Sequence, residues 1–194
     1  MIDLRNVFFK NRSYTPIPLA LIIIYLSEPI FPFYYIGLGC IIIGESIRIN
    51  AVRFAGGSTR TLKVGASKLC TSGPYSKTRN PLYLGNIIIY LGVVFFAGGK
   101  FLVPLLFITL LFFSLQYAMI ISLEEKKLID LFGTEYQIYK DNVPRLLPRI
   151  SKWSDRIEII PISLFKTVKT EKRTLQNILF IIFLISLKYF LNIA

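Results

Sequence analysis

Long apolar runs divide this chain, and they restrict the fold before any single residue does. Residues 17–27, 33–54, 82–98, 101–123 and 175–193 are mainly aliphatic and aromatic, and polar, basic segments separate them. A helix needs roughly 20 apolar residues to cross a bilayer, where its internal hydrogen bonds must satisfy the whole backbone. The last three runs are of spanning length. The first is shorter and leads into Pro29 and Pro32, so a bent or broken helix is expected there. The second contains Glu45 and Arg48, three positions apart on one helical face, where a structural ion pair can form. The tight Gly98-Gly99-Lys100 connection predicts an antiparallel hairpin of the third and fourth runs. At 54% hydrophobic and a mean hydropathy of +0.57, the 194-residue chain is more apolar than soluble domains of its length. The expectation is an all-α, polytopic integral membrane protein with about five transmembrane helices, forming a single domain over residues 1–194.

The charge pattern sets an orientation. The formal net charge is +12. Arg5, Lys10 and Arg12 precede the first run, and Arg60, Lys63, Lys68, Lys77 and Arg79 lie between the second and third. A mixed but basic stretch covers 126–173, whereas the opposite side carries only Glu28 and Lys100. The basic loops therefore share one face, expected to be cytoplasmic, at the inner membrane in a prokaryotic cell. The odd number of spans puts the C-terminus on the other side. Membrane lipid headgroups, and no nucleic acid, are the partners such a distribution suits. The N-terminus has no pattern of a cleavable signal. Histidine is absent, which removes the commonest general base and metal ligand. Cys40 and Cys70 lack metal-site spacing, so no metal and no disulfide are expected.

Chemistry is expected where polar groups meet the apolar spans. Tyr75, Arg79, Asn80 and Tyr83 sit at the start of the third run, and Glu124 and Glu125 leave the end of the fourth. A hairpin puts Leu82 and Leu123 at one membrane level, so the Arg79–Tyr83 corner and the Glu124 corner are predicted neighbours. A third group follows: Gly133-Thr134-Glu135-Tyr136, then Tyr139 and Val143-Pro144-Arg145. Helix is expected over 124–132, stopped by Gly133, and again over 135–141. Each piece has a plainer reading. Arg79-Asn80-Pro81 suits a helix start at an interface, and Glu124-Glu125 suits a solvated helix face. Tyr136, Tyr139 and Trp153 suit interfacial packing. The combination favours a functional site.

Together, GPYSKTRNPLYLG and LEEKKLIDLFGTEYQIYKDNVPR resemble the isoprenylcysteine carboxyl methyltransferase and phospholipid methyltransferase superfamily, in a bacterial-type form. Gly44-Glu45-x-x-Arg48-x-x-Ala51 is also similar to its bacterial members. The resemblance covers about residues 37–148, followed by a basic interfacial segment, 149–174, and the C-terminal span, 175–193. It implies methylation of a lipophilic acceptor from the bilayer by S-adenosylmethionine, at a cofactor site on the cytoplasmic face. By motif, Lys68, Leu69 and Cys70 (with Ser67), Tyr75, Asn80, Pro81, Leu82, Tyr83 and Glu124 line the cofactor pocket. Glu124 suits the cofactor's ammonium group, and Arg79 or Arg145 its carboxylate. Arg79, Glu125 and Tyr136 are the candidate catalytic residues, the latter two as proton acceptors for an amine substrate.

Two departures from the family pattern stand out. The motif's histidine is Asn80, which can still donate and accept hydrogen bonds but cannot act as a histidine base. The arginine that prenylcysteine carboxylate enzymes carry four residues before the cofactor glutamate is Ile120. Methyl transfer from a sulfonium is an in-line displacement whose leaving thioether needs no protonation, so positioning and desolvation carry it. The acceptor classes left open are a carboxylate, a thiol and a lipid-headgroup amine. The alternatives are a nicotinamide-dependent enzyme like the membrane sterol reductases, which share an R-x-P-x-Y region, and a non-catalytic membrane scaffold.

Overall fold

The computed structural model describes residues 3–56, 65, 68–153 and 160–193; Arg60, Lys63 and Ser67 lie outside the described residues. Among these residues the chain forms six α-helices: α1 (Leu4–Asn11), α2 (Ile17–Tyr25), α3 (Phe33–Ala55), α4 (Pro81–Ala97), α5 (Leu102–Asn142) and α6 (Leu164–Ile193). A 3-10 turn at Gly73–Ser76 precedes α4. α3, α5 and the 164–191 part of α6 are long and apolar enough to cross a membrane. Two of the expected spans are shorter: α4 has 17 residues and α2 has nine. The 17–27 run is indeed broken, with α2 ending before the prolines and α3 starting after them.

Local sequence explains the helix limits. Asn80 and Pro81 open α4, where proline's missing N–H has no helical partner to lose. Gly98 closes it with φ 61, and a Cβ there would lie 2.8 Å from the Glu28 carbonyl oxygen. The Glu28 N–H in turn donates to the Ala97 carbonyl, 2.8 Å, and ties the turn after α2 to the end of α4. In α5, Gly133 has φ 51 and ψ −123, a break that glycine adopts without a steric penalty. The last turns after this kink carry Tyr136 and Tyr139 into a small second core with Val143, against Leu69, Phe132 and Trp153.

The tightest packing joins α3 and α4, rather than the α4–α5 hairpin pair. A Cβ on Gly44 would come within 2.7 Å of the Gly85 carbonyl oxygen, and one on Gly37 within 2.6 Å of that of Gly92. Both glycine pairs repeat seven residues apart on their helices, so two full turns of backbone meet face to face. The α4–α5 seam is instead aromatic: the Tyr83 and Tyr117 rings lie 4.6 Å apart, and those of Tyr90 and Phe113 4.2 Å apart.

α6 is held to this core by polar pins. Arg53 and Ile162 exchange hydrogen bonds just before the helix. Glu171, 1% exposed, receives the Arg48 guanidinium, which also donates to Asn86 Oδ1 at 2.8 Å. Glu45 lies 3.7 Å from Arg48, so the ion pair expected within α3 is present but extends to a second carboxylate on α6. Near the far end of α6, Lys188 Nζ donates to the carbonyls of Tyr25, the last residue of α2, and of Ser27 just beyond it.

Candidate functional site

The start of α4 and the middle of α5, where its apolar run ends, meet as the hairpin predicts. The Tyr83 hydroxyl donates to Glu124 Oε1 at 2.9 Å. Four residues earlier, just before α4 begins, Arg79 donates to Glu125 Oε1 through Nε at 3.1 Å and Nη2 at 2.8 Å. Adjacent glutamates on α5 thus take adjacent roles, one facing a tyrosine and the other an arginine.

Glu125 is clamped from two sides. Its other oxygen accepts from Arg145 Nη2, and Arg145 Nε lies 3.3 Å from Oε1. Arg79 spends its remaining donors on the carbonyls of Lys140 and Val143. The side chains of Arg79 and Glu125 are 8% and 7% exposed. Tyr136, 1% exposed, lies among Arg79, Glu125 and Arg145. The candidate catalytic trio is therefore brought together, but every charged atom of Arg79 and both oxygens of Glu125 are already engaged within the protein. Arg145 differs, because its side chain is 46% exposed. Its hydrogen bonds to Glu125 hold its guanidinium more firmly protonated than usual.

The segment after α5 is laced to the segment before α4. The Arg79 N–H donates to the Pro144 carbonyl, the Arg149 N–H to Lys77 and the Trp153 N–H to Ser76. The Thr78 hydroxyl reaches the Arg145 and Leu146 carbonyls, and Asn80 Nδ2 donates to the Arg145 carbonyl at 2.8 Å. Asn80 stands at the N-cap of α4, but its side chain makes no capping hydrogen bond; its amide instead positions the strip that carries Arg145. Trp153, expected as an anchor in the headgroup layer, packs its ring 5.6 Å from that of Tyr139. Tyr139 in turn donates to the Tyr75 carbonyl at 2.8 Å and fixes the 3-10 turn.

The cofactor-side candidates divide by place. Cys70, Tyr75 and Glu124 are half-buried and near enough to act on one another electrostatically. Burial, with smaller effects of Cys70, Tyr139 and Glu124, pushes the Tyr75 hydroxyl well above its usual range. Burial likewise raises the Cys70 thiol to about 11, against the weak opposing effect of a hydrogen bond from the Ser72 backbone. Leu69 belongs to the second core, Lys68 is exposed, Pro81 is buried and Leu82 is half-buried. Ile120 is fully buried in the main core.

Arg12 is a further residue of the site that no motif singles out. It follows α1, which packs on α5, and interacts electrostatically with both Tyr83 and Glu124. Only its place in the basic N-terminal cluster hinted at this. Glu171 and Lys188 were equally unassigned, since their partners are more than 100 residues away in sequence.

Comparison with known proteins finds methyltransferases among the relatives. Over 135 residues the chain is 35% identical to the Protein-S-isoprenylcysteine O-methyltransferase of Schizosaccharomyces pombe, covering 65% of this chain and 54% of that one. The Saccharomyces cerevisiae protein of the same name is 35% identical over 120 residues, 58% of this chain and 48% of its own. Methanethiol S-methyltransferase 1 of Bradyrhizobium diazoefficiens is 36% identical over 74 residues, 38% of this chain and 24% of its own. The chain spans about half the length, or less, of these curated relatives. No solved structure matches it significantly. Residues 33–135 match the family model described as Phospholipid methyltransferase, and that stretch contains α3, α4 and most of α5 with the Tyr83–Glu124 contact, so the chain belongs to the phospholipid methyltransferase family.

Proposed function

We propose that this protein is a membrane methyltransferase that uses S-adenosylmethionine to methylate a lipophilic acceptor. The observation that carries the reading is the Tyr83–Glu124 contact, which joins the two halves of the motif at one polar edge. The donor set suits the cofactor. Glu124 is a half-buried carboxylate outside the double-arginine clamp, placed to meet an ammonium group, and the half-exposed Arg145 is placed to meet a carboxylate. The motif assigns Lys68, Leu69, Cys70 and Tyr75, together with Asn80, Pro81, Leu82 and Tyr83, to the rest of the cofactor lining. When bound, S-adenosylmethionine supplies a methyl group on a sulfonium.

Within this reading, Arg79, Glu125 and Tyr136 support the site from beneath. Proton transfer to Glu125 would require breaking a guanidinium contact, and Tyr136 is walled off. The protein's contribution is to hold donor and acceptor in line and to exclude water. The acceptor is a membrane-resident carboxylate, thiol or headgroup amine, reached laterally between helices. The similarity to O- and S-methyltransferases supports the first two. The active site faces the cytoplasm, as the basic loops around it indicate.

The deciding experiment incubates membranes holding the protein with methyl-labelled S-adenosylmethionine and identifies the labelled species. A labelled lipid-soluble product that disappears in Glu124→Ala is expected. Full activity in that variant would sink the pocket assignment, and preference for a soluble, non-partitioning acceptor would sink lateral access.

A further inference from the structure

We propose that the outward face of α6 binds an anionic phospholipid, and that this strip is independent of the methyl-transfer site. The first turns of α6 carry Lys166, Lys169, Lys172 and Arg173, all exposed. At about 100° per residue these four fall within one arc of the helix, opposite the side that carries Thr167, Glu171 and Ile185. Those three are each 1% exposed or less, so the inward side is independently fixed. The stretch's one acid, Glu171, is turned inward onto Arg48. No carboxylate of α6 therefore competes for the outward cations.

Along the same outward face the character changes. Leu179, Phe180, Phe183 and Leu187 follow, between 40% and 65% exposed. Arg173 and Phe180 are seven residues apart, about 10 Å along the axis. That separation matches the passage from the headgroup layer into the hydrocarbon of a bilayer. One face thus offers cations at headgroup depth and apolar side chains directly below them. An anionic phospholipid has the complementary order, phosphate above and acyl chains beneath.

The pins of α6 prevent this face from rotating inward. Glu171 and Lys188 are 17 residues apart, about 25 Å, and both are tied to the body of the protein. Turning the helix would break a buried ion pair at one end and strip carbonyl partners at the other. The presentation of the cations to lipid is therefore built into the fold, not left to a mobile tail.

The test uses the full chain purified in detergent micelles doped with equal fractions of phosphatidylglycerol or phosphatidylcholine, reading the thermal unfolding midpoint against lipid concentration. Phosphatidylglycerol should raise the midpoint and phosphatidylcholine should not. In K166Q/K169Q/K172Q/R173Q the apparent affinity for phosphatidylglycerol should fall at least about tenfold. K166R/K169R/K172R should keep the wild-type response, and so should neutralisation of the exposed Lys10 and Lys152. An unchanged response in the fourfold glutamine variant, equal responses to the two lipids, or loss of the response in the arginine variant would each overturn the proposal. If the fourfold variant is unstable without lipid, K169Q and R173Q singly decide it: a graded loss supports the strip, and none refutes it.

Discussion

Tyr83 and Glu124 stand 41 residues apart in sequence, yet the tyrosine hydroxyl lies 2.9 Å from the glutamate carboxylate. The hydrogen bond closes the α4–α5 hairpin at its polar end and aims a carboxylate at the proposed cofactor. Tyr83→Phe removes the donor while keeping the ring against Tyr117. A hydrogen bond to a charged group is worth about 1.5–3 kcal/mol, so affinity for S-adenosylmethionine should fall roughly 10–100-fold with the unfolding midpoint little changed. Calorimetric titration checks this; wild-type affinity would show that Glu124 needs no orienting partner.

The clamp beneath should behave in the opposite way. Arg79 and Glu125 are both buried; removing Glu125 leaves Arg79 without its carboxylate, and removing Arg79 leaves Glu125 with the half-exposed Arg145 as its remaining partner. Arg79→Met or Glu125→Leu should cost about 3–5 kcal/mol and lower the unfolding midpoint by roughly 10 °C. The double variant should lose less than the sum of the two. Strict additivity would mean that the pair is not coupled. A large loss of turnover in a stable Glu125→Gln protein would restore Glu125 to a direct chemical role.

The α3–α4 crossing makes a prediction with its own internal control. Gly44 faces the Gly85 carbonyl at a would-be Cβ distance of 2.7 Å, whereas a Cβ on Gly39 of the same helix would meet nothing within 4 Å. Gly44→Ala must push two backbones apart and should destabilise by about 1–3 kcal/mol. Gly39→Ala gains helix propensity and should be neutral or stabilising by up to about 1 kcal/mol. Denaturation midpoints in one detergent compare them directly, and equal effects would refute the close crossing.

What the sequence conveyed follows the reach of its signals. The apolar runs located α3, α5 and α6, and Gly133 marked the kink in α5, because periodicity and punctuation act locally. The short Gly98–Lys100 connection carried the reading across space to the Tyr83–Glu124 and Arg79–Glu125 pairs. Beyond that hairpin nothing in the chain named a partner. Arg48 meets Glu171 across 123 residues, and Lys188 meets Ser27 across 161. Gly37, Gly44, Gly85 and Gly92 carried no such signal, because which helices such glycines join depends on packing. Arg79 and Glu125 stand out in the sequence as charges at the motif, but their pairing with each other in a buried place is visible only in the fold.

Cys70 links the electrostatics of the site to a measurable reactivity. Burial raises its thiol to about 11, so the group is neutral throughout the physiological range and gains thiolate only as pH climbs toward that value. Because the thiolate is the nucleophile, iodoacetamide labelling in a Cys40→Ser background should be slow at pH 7 and rise about tenfold per pH unit up to about pH 10. An ordinary exposed cysteine would level off near pH 9. The same residue belongs to the strip assigned to the cofactor, so saturating S-adenosylmethionine should slow labelling further at every pH. An early plateau would show that the thiol is solvated. A rising profile without protection would keep the burial of Cys70 but detach residues 68–70 from the cofactor pocket.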